Sequence, residues 1–324
     1  MQGQILKNNF QVGGASAAPG TKVRGRFSVG FTLLSAIEMP FTLINGVKDG
    51  PFLTVTAGVH GTEYTGIEAA MRLAKIVRPE ELNGAVAIVH LVNTSGFQAK
   101  VPFICPIDGL NINRVFPGRP DGSISHRIAH TLFSELIFKS NYYIDLHCGD
   151  IPEEHVDLAY YDVIGGATDA VSEEMARCFS TSYIQADVVP GSSETEACKA
   201  GVPAITSEAG ELGKLEEDEV NVHVEGVLNV MKRFQLINAN VKPTNPKKLG
   251  DRRVIRSEKA GFLRTKAKCG EVVKEGQDLA EIVNAYGDTV ESVKSPLGGV
   301  IIMAYPSPAV NSGDYLYAVS PVVG

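Results

Sequence analysis

Between residues 40 and 235, short apolar runs alternate with segments whose apolar residues recur every three or four positions. The runs "PFLTVTA" (51–57), "AVAIVHLV" (85–92), "YYIDL" (142–146) and "PAITSEA" (203–209) predict buried strands. The periodic segments predict helices over 63–77, with Ile67, Ala70, Met71, Ala74 and Val77 on one face, and over 125–138, with Ile128, Leu132 and Leu136 together. Two more helices are expected over 169–179 and 217–234. This alternation predicts an α/β domain built on a mixed, largely parallel sheet flanked by helices.

The pattern changes near residue 238. "NANVKPTNPKKLGDRR" is polar, with two prolines and five basic residues, and reads as a linker. Short β-rich runs broken by Gly and Pro follow it. The expected organisation is a catalytic domain over 1–238 with its core at 40–235, a linker at 239–250, and a smaller all-β, barrel-like C-terminal domain over 251–324. "KCGEVVKEGQDLAEIV" and "VKSPLGGVI" are similar to turns of biotinyl/lipoyl-like barrels. Ser-Pro follows Lys294 where an attachment hairpin typically has a flanking methionine, so a structural barrel is the reading.

Composition narrows the function classes. A chain of 324 residues with 44% hydrophobic residues can bury one large core or two. The net charge of −7, without a basic stripe, argues against nucleic-acid binding. Five cysteines without a Cys-x-x-Cys pair argue against a disulfide framework or a cysteine zinc site, and suit a reducing cytoplasm. "MQGQILKNNFQVGG" lacks the apolar core of a leader, and no run reaches membrane-spanning length. A cytoplasmic protein with no membrane partner is expected. Assembly with copies of itself stays open.

Among seven histidines, His60 and His147 stand apart because each falls just past a predicted strand, where sites collect in open α/β sheets. Glu63 follows His60 in "GVHGTE", at a spacing that brings both side chains to one point if a helical turn begins there. Two histidines, one glutamate and an open fourth position describe a catalytic zinc site. By residue type and position alone, the set reads equally as such a site and as a coincidence of strand ends. Asp145 either orients an imidazole or ends a strand. His90 reads as a satisfied buried residue. His126 and His130 share a helix face but lack the acid of a His-Glu-x-x-His helix. His155 reads as a loop residue and His223 as a surface residue.

Glu208, at the end of "PAITSE", is placed to take a proton from metal-activated water and return it to a leaving amine; the alternative is a strand-end surface acid like Glu211. In "GLNINRVFPGRPDG", Arg114 offers a fork that fits a carboxylate and Asn113 a neutral donor, or else the arginine makes a surface ion pair.

The ordered set "GVHGTE", "NRVFPG", "DLH" and "SEAG" resembles the succinylglutamate desuccinylase/aspartoacylase family, of zinc-carboxypeptidase-like fold. "CPIDGLNINRVFPGRPDG" is similar to that family's ectoine-degradation deacetylases. The resemblance implies His60, Glu63 and His147 as ligands of one zinc ion per chain, Glu208 as general base and acid, and Asn113 with Arg114 as binders of the substrate carboxylate. The implied reaction is hydrolysis of a small N-acyl amino acid. One position departs from the pattern. Relatives commonly carry an arginine three residues before the proline of "PIDG", and here it is Phe103. Lys100 is a candidate to replace it. The rival readings are a metallocarboxypeptidase acting on short peptides and a binding protein that kept the fold with reduced activity.

Overall fold

The computed structural model describes residues 8–323. Residues 1–7, the start of "MQGQILKNNFQVGG", lie outside the described residues. Among the described residues no helix is long and apolar enough to cross a membrane.

A nine-stranded sheet forms the centre. From one edge to the other its strands are Lys247–Leu249, Tyr183–Ala186, Leu158–Tyr161, Ala204–Glu208, Tyr142–His147, Lys48–Ala57, Asn83–Val89, Ala36–Asn45 and Thr21–Phe31. Five neighbouring pairs are parallel and three antiparallel. The sheet is therefore mixed and largely parallel, as the alternation implies. Helices cover both faces, so its central strands are apolar on both sides. Leu53, Val55, Ile144, Leu146 and Ile205 pack against helices Tyr64–Ile76, Asp169–Arg177 and Glu217–Arg233. Phe41, Leu43, Ala87 and Tyr143 pack on the other face against Ile124–Glu135 and Ser193–Lys199.

Several local expectations change. In the helix over 64–76, Ile67, Ala70 and Val77 are buried and Ala74 packs on the core as expected, but Met71 faces outward and Leu73 is buried beside them. His223 is fully buried, not superficial, with Nδ1 3.1 Å from Ser207 Oγ. His155 is also buried, in the short strand Glu154–His155. His90 is satisfied, with Nε2 2.8 Å from Thr42 Oγ1, but it is half-buried rather than buried and lies just past the strand Asn83–Val89. The polar stretch 239–250 does not run free along its whole length, because Lys247–Leu249 pairs parallel with Tyr183–Ala186 and ends the main sheet.

Beyond residue 252 the chain forms two antiparallel sheets around one core that includes Leu263, Ile282, Ile301 and Leu316. Lys294 ends the strand Thr289–Lys294, away from a hairpin tip, with Nζ 2.7 Å from Asp278 Oδ1. The strand Glu154–His155 of the larger sheet's region joins this unit by pairing with Gly299–Ala304. Leu158, Tyr160, Leu249, Val300 and Ile302 form a shared apolar cluster. The C-terminal unit is thus bound directly to the segments beside the site described next.

Candidate active site

Register brings the site together. Ala204–Glu208, Tyr142–His147 and Lys48–Ala57 are parallel neighbours, and their carboxyl ends lie at one edge. Glu208 is paired with His147, and Ala57 with Leu146. The turn after Ala57 carries His60 and Glu63. Gly58 takes a left-handed φ of +68°, which favours glycine there. Gly61 lies so close to the backbone that an added Cβ would sit 2.2 Å from Phe97 N and 2.5 Å from Gly96 C. At Gly66 a Cβ would sit 2.7 Å from Leu146 O, so the helix that follows Glu63 packs directly on the strand that ends in His147. The glycines of "GVHGTEYTG" are therefore required to seat the two ligand-type residues. Gly61→Ala is expected to destabilise the protein by about 1–3 kcal/mol through this overpacking. Denaturant unfolding measures it, and an unshifted midpoint would contradict the assignment.

His60, Glu63 and His147 are all buried, and one ligand-type atom from each lies within 4.8 Å of the others. Glu63 Oε1 is 2.6 Å from His60 Nδ1, and Glu63 Oε2 is 2.8 Å from His147 Nδ1. Glu63 Oε2 also accepts a hydrogen bond from Cys148 N at 3.3 Å. Burial pushes the Glu63 carboxyl up, but the two imidazoles outweigh it and hold the group at about 2. The far nitrogens also face oxygen atoms, although His147 Nε2 makes no hydrogen bond. His60 Nε2 is 3.2 Å from Asn111 Oδ1. His147 Nε2 lies 3.1 Å from Asp145 Oδ2, and Asp145 accepts from Thr56 and Ser193 hydroxyls, each at 2.6 Å. Glu63 meets both Nδ1 atoms, which are therefore turned inward, while an amide and a carboxylate oxygen lie near the outer nitrogens, as is common behind histidines that ligate metals. Two imidazole nitrogens and one carboxylate, converging in a buried place, form a donor set that fits zinc.

Glu208 lines the same cavity as this cluster. Its residue is only half-buried, yet Oε2 is sealed from solvent and has no hydrogen-bond partner. Burial pushes its carboxyl well above the ordinary range, against the pull of His147. Asn113 and Arg114 reach the cavity from the loop after "PIDG". Asn113 Oδ1 accepts from Ser193 N at 2.8 Å, and Arg114 Nη1 donates to Asn113 O at 2.6 Å. Burial and the nearby Arg252 disfavour the Arg114 cation, and among the described residues no carboxylate lies within ion-pair distance of it. That combination suits an incoming anion.

Phe103 also lines the cavity, its ring 6.0 Å from that of His60. Its N–H donates to Asp150 Oδ2 at 2.8 Å, and its φ is +60°. Lys100 is exposed and does not line the cavity, so it does not replace the expected arginine. The extra guanidinium groups come instead from Arg252 and Arg256, at the start of the C-terminal unit. Sequence reasoning passed over both, along with Glu153, Glu194 and Tyr305. Glu153 accepts from Tyr305 OH at 3.0 Å, and burial with the Glu63 charge raises its carboxyl to about 7. The whole cavity holds about 330 Å³, near the lower end for small-molecule sites. His126 and His130 take no part in it.

The chain is similar to known proteins. Residues 49–234 match the model of the succinylglutamate desuccinylase/aspartoacylase catalytic domain. The chain is 28% identical over 302 residues to an N-alpha-acetyl-L-2,4-diaminobutyric acid deacetylase of Halomonas elongata, covering 89% of this chain and 87% of that one. Among solved structures, it is similar to the product-bound ectoine utilization protein EutE (DoeB) from Ruegeria pomeroyi, with a TM-score of 0.86 at 23% identity, over 93% of this chain and 95% of that one. A succinylglutamate desuccinylase from Silicibacter sp. TM1040 gives a TM-score of 0.85 at 24% identity, over the same shares of the two chains. The match spans more than half of the chain and includes the strand ends that carry His60, Glu63, His147 and Glu208, so the protein belongs to the succinylglutamate desuccinylase/aspartoacylase family.

Proposed function

We propose that this protein is a zinc-dependent amidohydrolase that removes the acyl group from a small N-acyl amino acid. The observation that carries the reading is the convergence of His60, Glu63 and His147 beside Glu208 in one small cavity. His60, Glu63 and His147 would hold one zinc ion. Such an ion, when bound, polarises the scissile carbonyl and makes water nucleophilic near neutral pH. Glu208 accepts the proton of the attacking water and delivers it to the departing nitrogen. Burial and the neighbouring acids favour its protonated form, and only the adjacent His147 pulls toward the carboxylate, so a bound cation would be needed to keep it ready to accept a proton. Arg114 and Asn113 hold the substrate carboxylate, which fixes the amide in register with Glu208. Phe103 supplies apolar wall where relatives have a cation, so charge stabilisation on that side falls to other groups.

The cavity's size favours this reading over a carboxypeptidase. Tyr305, Tyr315, Arg252 and Met303 of the C-terminal unit help to line it, and its volume of about 330 Å³ suits a small substrate better than a peptide. The relative from Halomonas elongata supports an N-acetylated diamino acid as the first substrate to try. The test is a screen of N-acetyl, N-succinyl and N-formyl amino acids with the zinc-loaded protein. Release of free amine from at least one of them is expected, with loss of activity in chelator and recovery on adding zinc. Failure to release amine from any, with zinc bound, would overturn the proposal.

A further inference from the structure

Most acids around the cavity have a partner. Glu63 holds the two imidazoles, Glu153 holds Tyr305, and Asp187 pairs with Arg252 at 2.8 Å. Glu194 differs. It lines the cavity, is 5% exposed, and its Oε1 is sealed from solvent without a hydrogen-bond partner. Asp162 is fully buried, both of its oxygens likewise lack partners, and its charge acts on Glu194. Among the described residues neither carboxylate has a cation within 4 Å. Lys199, the lysine whose charge reaches Asp162, is half-exposed and paired with Glu196 at 2.8 Å.

We propose that Glu194 determines specificity by binding a positively charged amine on the substrate, so that the acyl group is removed from a diamino acid. This rests on the deacylase reading of the cavity. Two unpaired buried carboxylates are costly unless they take up a proton or a cation. Burial and the Asp162 charge push the Glu194 carboxyl well above its ordinary range, the state expected before a cation arrives. A metal ion is the poorer occupant, because the one set of three or more metal-type side chains among the described residues is His60, Glu63 and His147. An ammonium group instead offers three N–H donors, which suits carboxylate oxygens beside the Thr206 hydroxyl. The place is also rigid. Ser193 N donates to Asn113 Oδ1 at 2.8 Å, and Ser193 Oγ donates to Asp145 Oδ2 at 2.6 Å. Glu194 is thereby tied to the loop proposed to hold the substrate carboxylate and to the partner of His147. A zwitterionic side of the substrate would meet Arg114 at one point and Glu194 at another.

The test compares Nα-acetyl-L-2,4-diaminobutyrate with N-acetyl-L-norvaline, which has a methyl in place of the ammonium. With the zinc-loaded wild type, the cationic substrate is expected to have the higher kcat/KM. Glu194→Gln should lower kcat/KM for it by about 10²-fold or more, since an ammonium loses its charged partner in a buried place. For N-acetyl-norvaline the change should be under about threefold, because its side chain makes no charge contact to lose. An unchanged preference in the variant would overturn the proposal. If neither compound is hydrolysed, the wider screen of N-acyl amino acids still decides the deacylase reading, and calorimetric binding of free 2,4-diaminobutyrate against norvaline decides the role of Glu194. Selective loss of diaminobutyrate binding in the variant supports the role, and equal binding by both proteins overturns it. Glu194→Gln relieves carboxylate repulsion and should melt no lower than wild type. Should it fail to fold, Asp162→Asn is measured in the same way, with weaker cation preference expected and an intact preference counting against the proposal.

Discussion

Replacing Glu208 with glutamine is expected to lower kcat by about 10²–10⁴-fold, the usual range for losing a general acid–base group. The zinc content after purification should stay at one per chain. Both parts follow from where Glu208 lies. Parallel pairing fixes its backbone beside His147, but it is not among the side chains whose ligand atoms cluster at the metal-type centre. Its Oε2 has no hydrogen bond to lose, and glutamine keeps the shape while giving up the exchangeable proton. Since burial already favours the neutral acid, the neutral amide should not destabilise the fold. Single-turnover kinetics alongside elemental analysis measures the effect. A zinc-loaded variant that hydrolyses at close to the wild-type rate would remove Glu208 from the mechanism.

The central strands were legible because helices cover both faces of the sheet. "PFLTVTA" and "YYIDL" therefore read as continuous apolar runs that end in chemistry-bearing residues. The edge of the sheet was not. Thr21–Phe31 carries outward Arg24, Arg26 and Ser28 and is interrupted by Gly25, and Ala36–Asn45 contains Pro40. The edge strand Thr21–Phe31 has no two-sided apolar signature, and a proline argues from sequence against the inner strand Ala36–Asn45 beside it. Leu158–Tyr161, Tyr183–Ala186 and Lys247–Leu249 are too short to show a period at all. His223 could have been found. It shares the i, i+3, i+4 stripe with Val220, Val224 and Val227, all buried in helix Glu217–Arg233. Its place in that stripe points to the core, although a histidine on an otherwise ordinary helix reads as a surface residue.

The cavity divides along the same line. His60, His147 and Glu208 announce themselves as strand ends, and parallel register does the rest. Arg252 and Tyr305 belong to a unit whose docking depends on the pairing of Glu154–His155 with Gly299–Ala304, an alignment between segments some 150 positions apart in the chain. No local pattern encodes it. Glu194 sits in "SSETEACK", which reads from sequence as an ordinary helix start. Only the folded surroundings show that its carboxylate lacks a counter-ion.

Glu63→Gln is expected to weaken zinc binding by about 10²–10⁴-fold, the equivalent of the 3–5 kcal/mol typical of breaking a buried charge pair. Hydrolysis should fall with it. Glu63 is the one acid in the three-residue cluster and the point at which both Nδ1 atoms meet. Glutamine offers one neutral oxygen and an NH2 group, so at least one imidazole faces a donor where it faced an acceptor. A cation placed there would also lose the single negative charge that balances it, while Asp145 remains behind His147 on the outer nitrogen. Competition for zinc against a chromogenic chelator gives the affinity. His126→Ala is the control, since the pair His126 and His130 lies apart from the cavity and its loss should leave zinc binding within about twofold, as expected for a distant, independent site. Equal affinity in Glu63→Gln and wild type would mean that zinc, if held, is held elsewhere, and the hydrolase reading would lose its centre.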